Sequence, residues 1–104
     1  MSKYGNIKTV TSDGIKLDSI KEANRWCELK LLERAGMIQD LQRQVKFLLI
    51  PKQDGERPVY YVADFVYIEN GKKVVEDAKG CKTEVYRLKK KLLLYFHNIK
   101  IKET

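Results

Sequence analysis

β-branched and aromatic residues crowd positions 60–68, and a shorter run of the same character covers 73–77. Between them stands Asn70-Gly71. That dipeptide suits a two-residue type I′ turn, because both central positions need positive φ. The pattern predicts a β-hairpin over 59–80, and the turn sets its register. Glu69 faces Lys72, Tyr67 faces Val74, Val66 faces Val75, and Asp64 faces Asp77. Residues directly opposite share one face, with Cβ atoms ~4.5–5.5 Å apart. Side chains alternate along a strand, so Lys79 joins the Asp77 face while Glu76 and Ala78 turn away.

The remaining elements are arranged round this hairpin. Thr11-Ser12-Asp13-Gly14 is a turn cluster between short extended pieces at 7–10 and 15–17, which predicts a small N-terminal hairpin packed at an edge. Ser19 and Glu22 have capping-box spacing and open a helix over 19–35, with Gly36 as its C′ residue. Its apolar residues, among them Ile20, Trp26, Leu29, Leu31 and Leu32, do not fall on one stripe and predict burial over a wide arc. Residues 38–41 and 45–50 read as two extended segments. The polar loop 52–58 carries Lys52 and Arg57, which are solvated charges or nucleic-acid contacts. Thr83 is the N-cap of a helix over 84–97. Val85, Leu88, Leu92, Tyr95 and Phe96 recur at helical spacing and predict its core stripe. Residues 99–102 alternate apolar and basic and predict an edge strand. Together these make an α/β (α+β) domain, a mixed central sheet flanked by two helices. Residues 1–104 form one domain, with 1–18 as a hairpin extension.

Two carboxylates side by side in a sheet repel each other. Val62, Val66 and Val75 share their face, which also desolvates them. A cation relieves both problems, and Mg²⁺ is commonly held by one or two carboxylates plus substrate phosphate oxygens. Lys79 then sits beside the metal, placed to hold the attacking water or the scissile phosphate. The structural alternative is that Asp64 and Asp77 pair with Lys79 and other cations. For Glu22 the capping box alone suffices as an explanation.

Composition narrows the partners. The 104 residues carry a formal net charge of +7, which suits a polyanion. No apolar run approaches the ~20 residues of a membrane span. With no apolar signal core at the N-terminus, the expected compartment is the cytoplasm. Cys27 and Cys81 have no CxxC partner and no neighbouring His, and fit a reducing compartment better than a zinc site or a disulfide framework. No Ser/His/Asp or Cys/His arrangement competes, and no Gly-rich phosphate loop is present. Lone His97 closes a helix, where a cation is favoured.

Asp64, followed by Asp77-Ala78-Lys79 on the next strand, resembles the core motif of the PD-(D/E)XK nuclease superfamily. The stretches YYVADFVY (60–67), VVEDAKG (74–80), Thr83 and LKKKL (88–92) are similar to a family of small phage and prophage proteins placed in that superfamily. The likeness runs over about residues 3–103. Val62-Ala63 precede Asp64 where the superfamily's name has Pro. The resemblance implies a restriction-endonuclease-like αβββαβ core and a protein of the bacterial host cytoplasm, encoded by phage or prophage.

It also implies a mechanism: Mg²⁺-dependent (or Mn²⁺-dependent) endonucleolytic hydrolysis of DNA. Asp64, Asp77, the Ala78 carbonyl and Glu22 then hold the ion, and Lys79 positions or activates the nucleophile. Gln44 lies at the edge of the active site, unless it merely bonds the backbone. Lys89 is the helper residue, with Lys91 behind it. Lys82, Arg87, Lys89, Lys90 and Lys91 neutralise flanking phosphates. Nothing in the sequence is built to read bases, so recognition of backbone or DNA structure is expected, such as a branch or Holliday junction met in recombination, repair or packaging. Cutting two strands requires a homodimer. Tyr60, Tyr61 and Tyr67 either supply its contact or lie buried under a helix. Two other classes stand beside this: a non-catalytic DNA-binding protein that retains the nuclease fold, and a protein-interaction module acting on a host factor.

Overall fold

A single strand, Gln39–Ile50, occupies the region where the sequence pattern predicts two extended segments. It belongs to a computed structural model that describes residues 9–10, 16–17, 20–78 and 83–104. The elements are β1 (Thr9–Val10), β2 (Lys16–Leu17), α1 (Ile20–Arg34), β3 (Gln39–Ile50), β4 (Val59–Glu69), β5 (Lys72–Asp77), α2 (Glu84–His97) and β6 (Lys102–Glu103). β1 and β2 pair antiparallel in a small sheet of their own, as the N-terminal turn cluster predicts. The main sheet has the order β3-β4-β5-β6, antiparallel except for the parallel β5–β6 pair. The fold is therefore α+β with a mixed four-stranded sheet and two helices, in keeping with an αβββαβ arrangement.

The hairpin adopts its predicted register. Asn70 and Gly71 have φ of 52° and 76°, the left-handed pair that a type I′ turn needs. The ladder runs from Glu69↔Lys72 to Phe65↔Glu76, and Asp64 and Asp77 are the next residues of each strand. β3 stays one strand because its interruptions are local. Asp40 and Gln44 take positive φ, 53° and 56°, and the chain resumes pairing after each.

Alternation along β5 places the helices on opposite faces. Glu76 bonds Arg25 of α1, while Val75 packs in one cluster with Tyr86 and Leu93 of α2. α1 buries Glu22, Ala23, Trp26 and Leu29, and Trp26 stacks on Phe65 with centroids 5.9 Å apart. This is a single stripe, narrower than the wide arc expected, because Ile20 and Leu31 face solvent. The end of α1 is as predicted. Met37 N–H bonds the Leu32 carbonyl and Gly36 N–H bonds the Glu33 carbonyl, a Schellman motif with Gly36 at φ 80°.

α2 corrects another expectation. Its boundaries and N-cap are as predicted, with Thr83 Oγ1 accepting from the Tyr86 amide. The buried residues, however, are Tyr86 and Leu93, whereas Val85, Leu88, Tyr95 and Phe96 are exposed. Three polar ties fix this rotation. The Tyr86 hydroxyl donates to Glu103 at 2.6 Å. Lys90 pairs with Glu103 at 3.3 Å. His97 Nε2 lies 2.6 Å from the Leu48 carbonyl, which only accepts, so Nε2 carries the hydrogen. β6 is an edge strand, but only two residues long; Ile101 goes to the core beside α2 instead of extending it. Among the described residues no helix is long and apolar enough to cross a membrane.

Candidate active site

The site forms where β5 stops. β4 continues past its last partner on that side, so over 59–63 no described strand pairs with that edge. The first turns of α2 stand beside the gap. A cavity of about 350 Å³ results, lined by Gln44, Tyr61, Val62, Asp64, Asp77, Thr83, Val85, Tyr86 and Lys89. Because it opens at a strand edge, residues from both sides of β4 reach it.

Asp64 and Asp77 both line this cavity and are almost buried, 6 % and 8 % exposed. Asp64 Oδ2 accepts the Ala78 amide at 2.9 Å, so its side chain takes up the backbone donor where the ladder ends. Asp77 Oδ2 accepts the Tyr61 hydroxyl at 2.9 Å. Burial pushes the Tyr61 phenol well above its usual range, and the Asp77 charge adds to this. Tyr61 therefore remains a neutral donor. The Tyr86 phenol is raised for the same leading reason, with its bond to Glu103 next.

Gln44 explains how Asp64 is aimed. It stands in β3 between the pairs Arg43↔Phe65 and Val45↔Ala63, across from Asp64. Its left-handed backbone marks a break in alternation. Before the break Tyr61 and Ala63 enter the core beside α2, and after it Phe65 and Tyr67 enter the core beside α1. Such irregularities re-aim side chains beside functional sites. The Gln44 amide nitrogen also lies 3.5 Å from Glu22 Oε2, which brings the buried first turn of α1 to the cavity's rim.

Behind the sheet lies a separate polar cluster. Glu76 is fully buried and takes Arg25 Nε at 2.6 Å, Arg25 Nη2 at 3.0 Å, the Tyr67 hydroxyl at 2.6 Å and Thr104 Oγ1 at 3.2 Å. Burial alone raises its pKa; the bonds from Arg25 and Tyr67, the Arg25 charge and the Thr104 bond outweigh that, and the carboxyl sits below its ordinary value. This ion pair clamps α1 to β5 one residue from Asp77.

Residues 1–103 match a family described as "Protein of unknown function (DUF1064)". The chain belongs to the DUF1064 family. No curated protein and no solved structure matches it significantly.

In this DUF1064 chain the structure brings Asp64, Asp77, Gln44 and Lys89 together round one cavity, with Glu22 one hydrogen bond behind. Ala78 contributes its amide to Asp64 and packs its side chain against the core beside α1. Lys79 and Lys82 lie outside the described residues, as does Ser19, on which the capping-box reading of Glu22 rests. The basic run on α2 is divided. Lys89 shares a face with Val85 and Tyr86 and lines the cavity. Lys90 is held by Glu103. Arg87 and Lys91 are exposed and are not among the lining residues. Of the three tyrosines considered for a dimer contact, Tyr61 and Tyr67 are buried. Lys52 and Arg57 cap the far end of the β3–β4 arm, well over 15 Å from Asp64 at ~3.3 Å per strand residue.

Sequence reasoning missed Tyr61, Thr83 and Tyr86 as site residues. Strict alternation puts Tyr61 on the face opposite Asp64, and no sequence signal announces the break at Gln44. Among the described residues no group of three or more His, Cys, Asp or Glu is placed to hold a metal. The donors present are two buried carboxylates on a roomy cavity. That set fits a hard cation that keeps several waters or substrate oxygens, the coordination Mg²⁺ prefers, and does not fit an all-protein cage.

Proposed function

We propose that the chain is a metal-dependent endonuclease hydrolysing DNA phosphodiester bonds, a phage or prophage member of the PD-(D/E)XK superfamily. The observation that carries this reading is the pairing of Asp64 and Asp77 on one cavity wall with Lys89 on another. Two nearly buried carboxylates and a lysine on one roomy cavity are the groups with which a hard cation and a phosphate would be held.

Asp64 and Asp77, with the Ala78 carbonyl, would hold one or two Mg²⁺ (or Mn²⁺) ions, and Glu22 would support them through Gln44. When bound, the metal supplies an activated water and offsets charge on the phosphate. The Ala78 amide fixes Asp64, and the Tyr61 hydroxyl fixes Asp77. Lys79, two positions after Asp77 in sequence, positions the nucleophile. Lys89 draws the scissile phosphate into the cavity, while Arg87 and Lys91 engage flanking phosphates outside it. None of these contacts reads a base, so DNA structure rather than sequence is selected, a branch or junction included.

The test uses linear, nicked and branched DNA with Mg²⁺, Mn²⁺ or EDTA. Cleavage is expected only with metal, and is abolished in Asp77→Asn and Lys79→Ala while DNA binding persists. Binding without cleavage under any metal would sink the hydrolytic reading and favour a DNA-binding protein. No DNA affinity at low salt would favour a protein-interaction module.

A further inference from the structure

The exposed side of α2 has an order its sequence does not need for folding. Val85, Leu88, Leu92 and Tyr95 are spaced 3-4-3, which is the a/d seam of a coiled coil. On a wheel at 3.6 residues per turn the seam points about 130° away from Tyr86 and Leu93, the residues that bind the sheet. Val85, Leu88 and Tyr95 are 63 %, 57 % and 81 % exposed. Leu92 alone also touches the core. Phe96 flanks the seam, edge-on to Tyr95 at 5.0 Å. Isolated apolar residues on a surface are ordinary, but a contiguous stripe of this kind marks a contact.

We propose that this stripe is a homodimer interface in which α2 pairs in parallel with α2 of a second copy. Charge selects both the occupant and the direction. With Val85 and Leu92 at a, and Leu88 and Tyr95 at d, Glu84 and Lys91 occupy g, and Lys89 occupies e. In a parallel pair g meets e of the next heptad. Glu84 of each copy then comes beside Lys89 of the other, twice by symmetry, at the mouth of the cavity that Val85 and Lys89 line, so the seam borders the cavity and shares Lys89 with it. In an antiparallel pair Lys89 faces Lys89 and Lys91 faces Lys91, and like charges oppose it. A valine at a with a leucine at d also favours two strands. The same contact is isologous, as a closed two-fold pair requires. It sets both cavities at one end of the dimer, beside the N-terminal turns of the paired helices. The inference rests on the α2 surface and stands whether or not the cavity hydrolyses DNA.

The test is light scattering on the purified chain at 1–100 µM, together with disulfide trapping in a Cys27→Ser/Cys81→Ser background. The expected mass is twice 12.2 kDa. Leu88→Cys should cross-link to itself under mild oxidation, since equal positions face each other only in a parallel pair. Leu88→Glu/Tyr95→Glu should run as a monomer with unchanged helical circular dichroism, both sites being exposed. A wild-type monomer over the whole range overturns the proposal. So does a dimer that Leu88→Cys fails to trap, or that survives the double glutamate change. A monomer that sediments with phosphatidylserine vesicles, and loses this with the double change, would assign the stripe to lipid instead.

Discussion

Tyr61 donates its hydroxyl to Asp77 at 2.9 Å across the gap left by the end of β5. The two residues lie on neighbouring strands but beyond the last pair of the ladder between them, Phe65↔Glu76. The bond therefore does what backbone pairing does elsewhere in the hairpin: it fixes where the Asp77 carboxylate points.

Tyr61→Phe should separate orientation from packing. The ring stays, and one hydrogen bond to a charged group goes. A loss of about 1.5–3 kcal/mol is the general scale for such a bond. Urea denaturation should show a loss at the lower end of that range. Metal-dependent cleavage should fall more than DNA binding. Equal losses in both would mean that Tyr61 only supports the wall.

Alkali offers a second measurement. Tyr61, Tyr67 and Tyr86 all have phenols raised above the ordinary value near 10, chiefly by burial. A raised folded value means that the folded state holds its protons longer than the unfolded state. The associated stability is complete below about pH 10 and declines as pH climbs above it. Tyrosinate absorbance from these three should thus appear together with loss of far-ultraviolet dichroism. Ionisation well before unfolding would contradict the buried placement.

Acid probes the other side of the sheet. Glu76 is depressed below its ordinary value, so its contribution is present above about pH 4.5 and is lost as pH falls through the lower folded value. Arg25→Ala strands a buried carboxylate and should cost about 3–5 kcal/mol. It should also move acid unfolding to higher pH, because Glu76 then protonates more readily. Glu76→Gln with Arg25→Met, which removes both charges, should recover part of the loss. A chevron or equilibrium melt in which the single and double changes are equal would argue against the pair as a clamp.

The helix lysines give the most direct comparison of sequence with structure. Lys89→Ala should reduce cleavage at least tenfold, because only this lysine of α2 lines the cavity. Lys91→Ala should leave the cleavage rate at saturating DNA near wild type and flatten the salt dependence of binding by about one phosphate's worth. Identical effects from the two changes would place the substrate elsewhere.

These cases show where the chain declares itself and where it does not. The hairpin register was readable because Asn70-Gly71 admits few turn geometries, and both residues take positive φ. The start of α2 was readable because Thr83 caps it; its end at His97 is closed by Asn98 in a left-handed conformation. Its orientation was not readable, since an apolar stripe at helical spacing describes a core face and a contact face equally well. Burial goes to Tyr86 and Leu93 because Glu103 and the Leu48 carbonyl, distant in sequence, anchor polar atoms on their side. Gln44 is the sharpest case. A left-handed glutamine inside a strand has no compositional signature, yet it lets Tyr61 and Asp64 line one cavity.

The turn itself is a lever on the site. Gly71 has φ of 76°, where a Cβ is strained although nothing crowds it. Gly71→Ala should cost about 1 kcal/mol and leave the register intact. An alanine inserted between Gly71 and Lys72 that slips β5 by one place would exchange the faces of Val75 and Glu76, and should cost far more, read as a large loss of stability in urea denaturation.

The gap at the end of β5 has one more outcome, for how this protein is handled. Along residues 59–63 its border on β4 pairs with no described strand on that side, and such an edge is a template for any extended chain that comes near. The opening turns of α2 stand guard over it. A fragment ending before Thr83 would lose that guard, and its copies should stack border to border into thioflavin-positive fibres more readily than the intact chain.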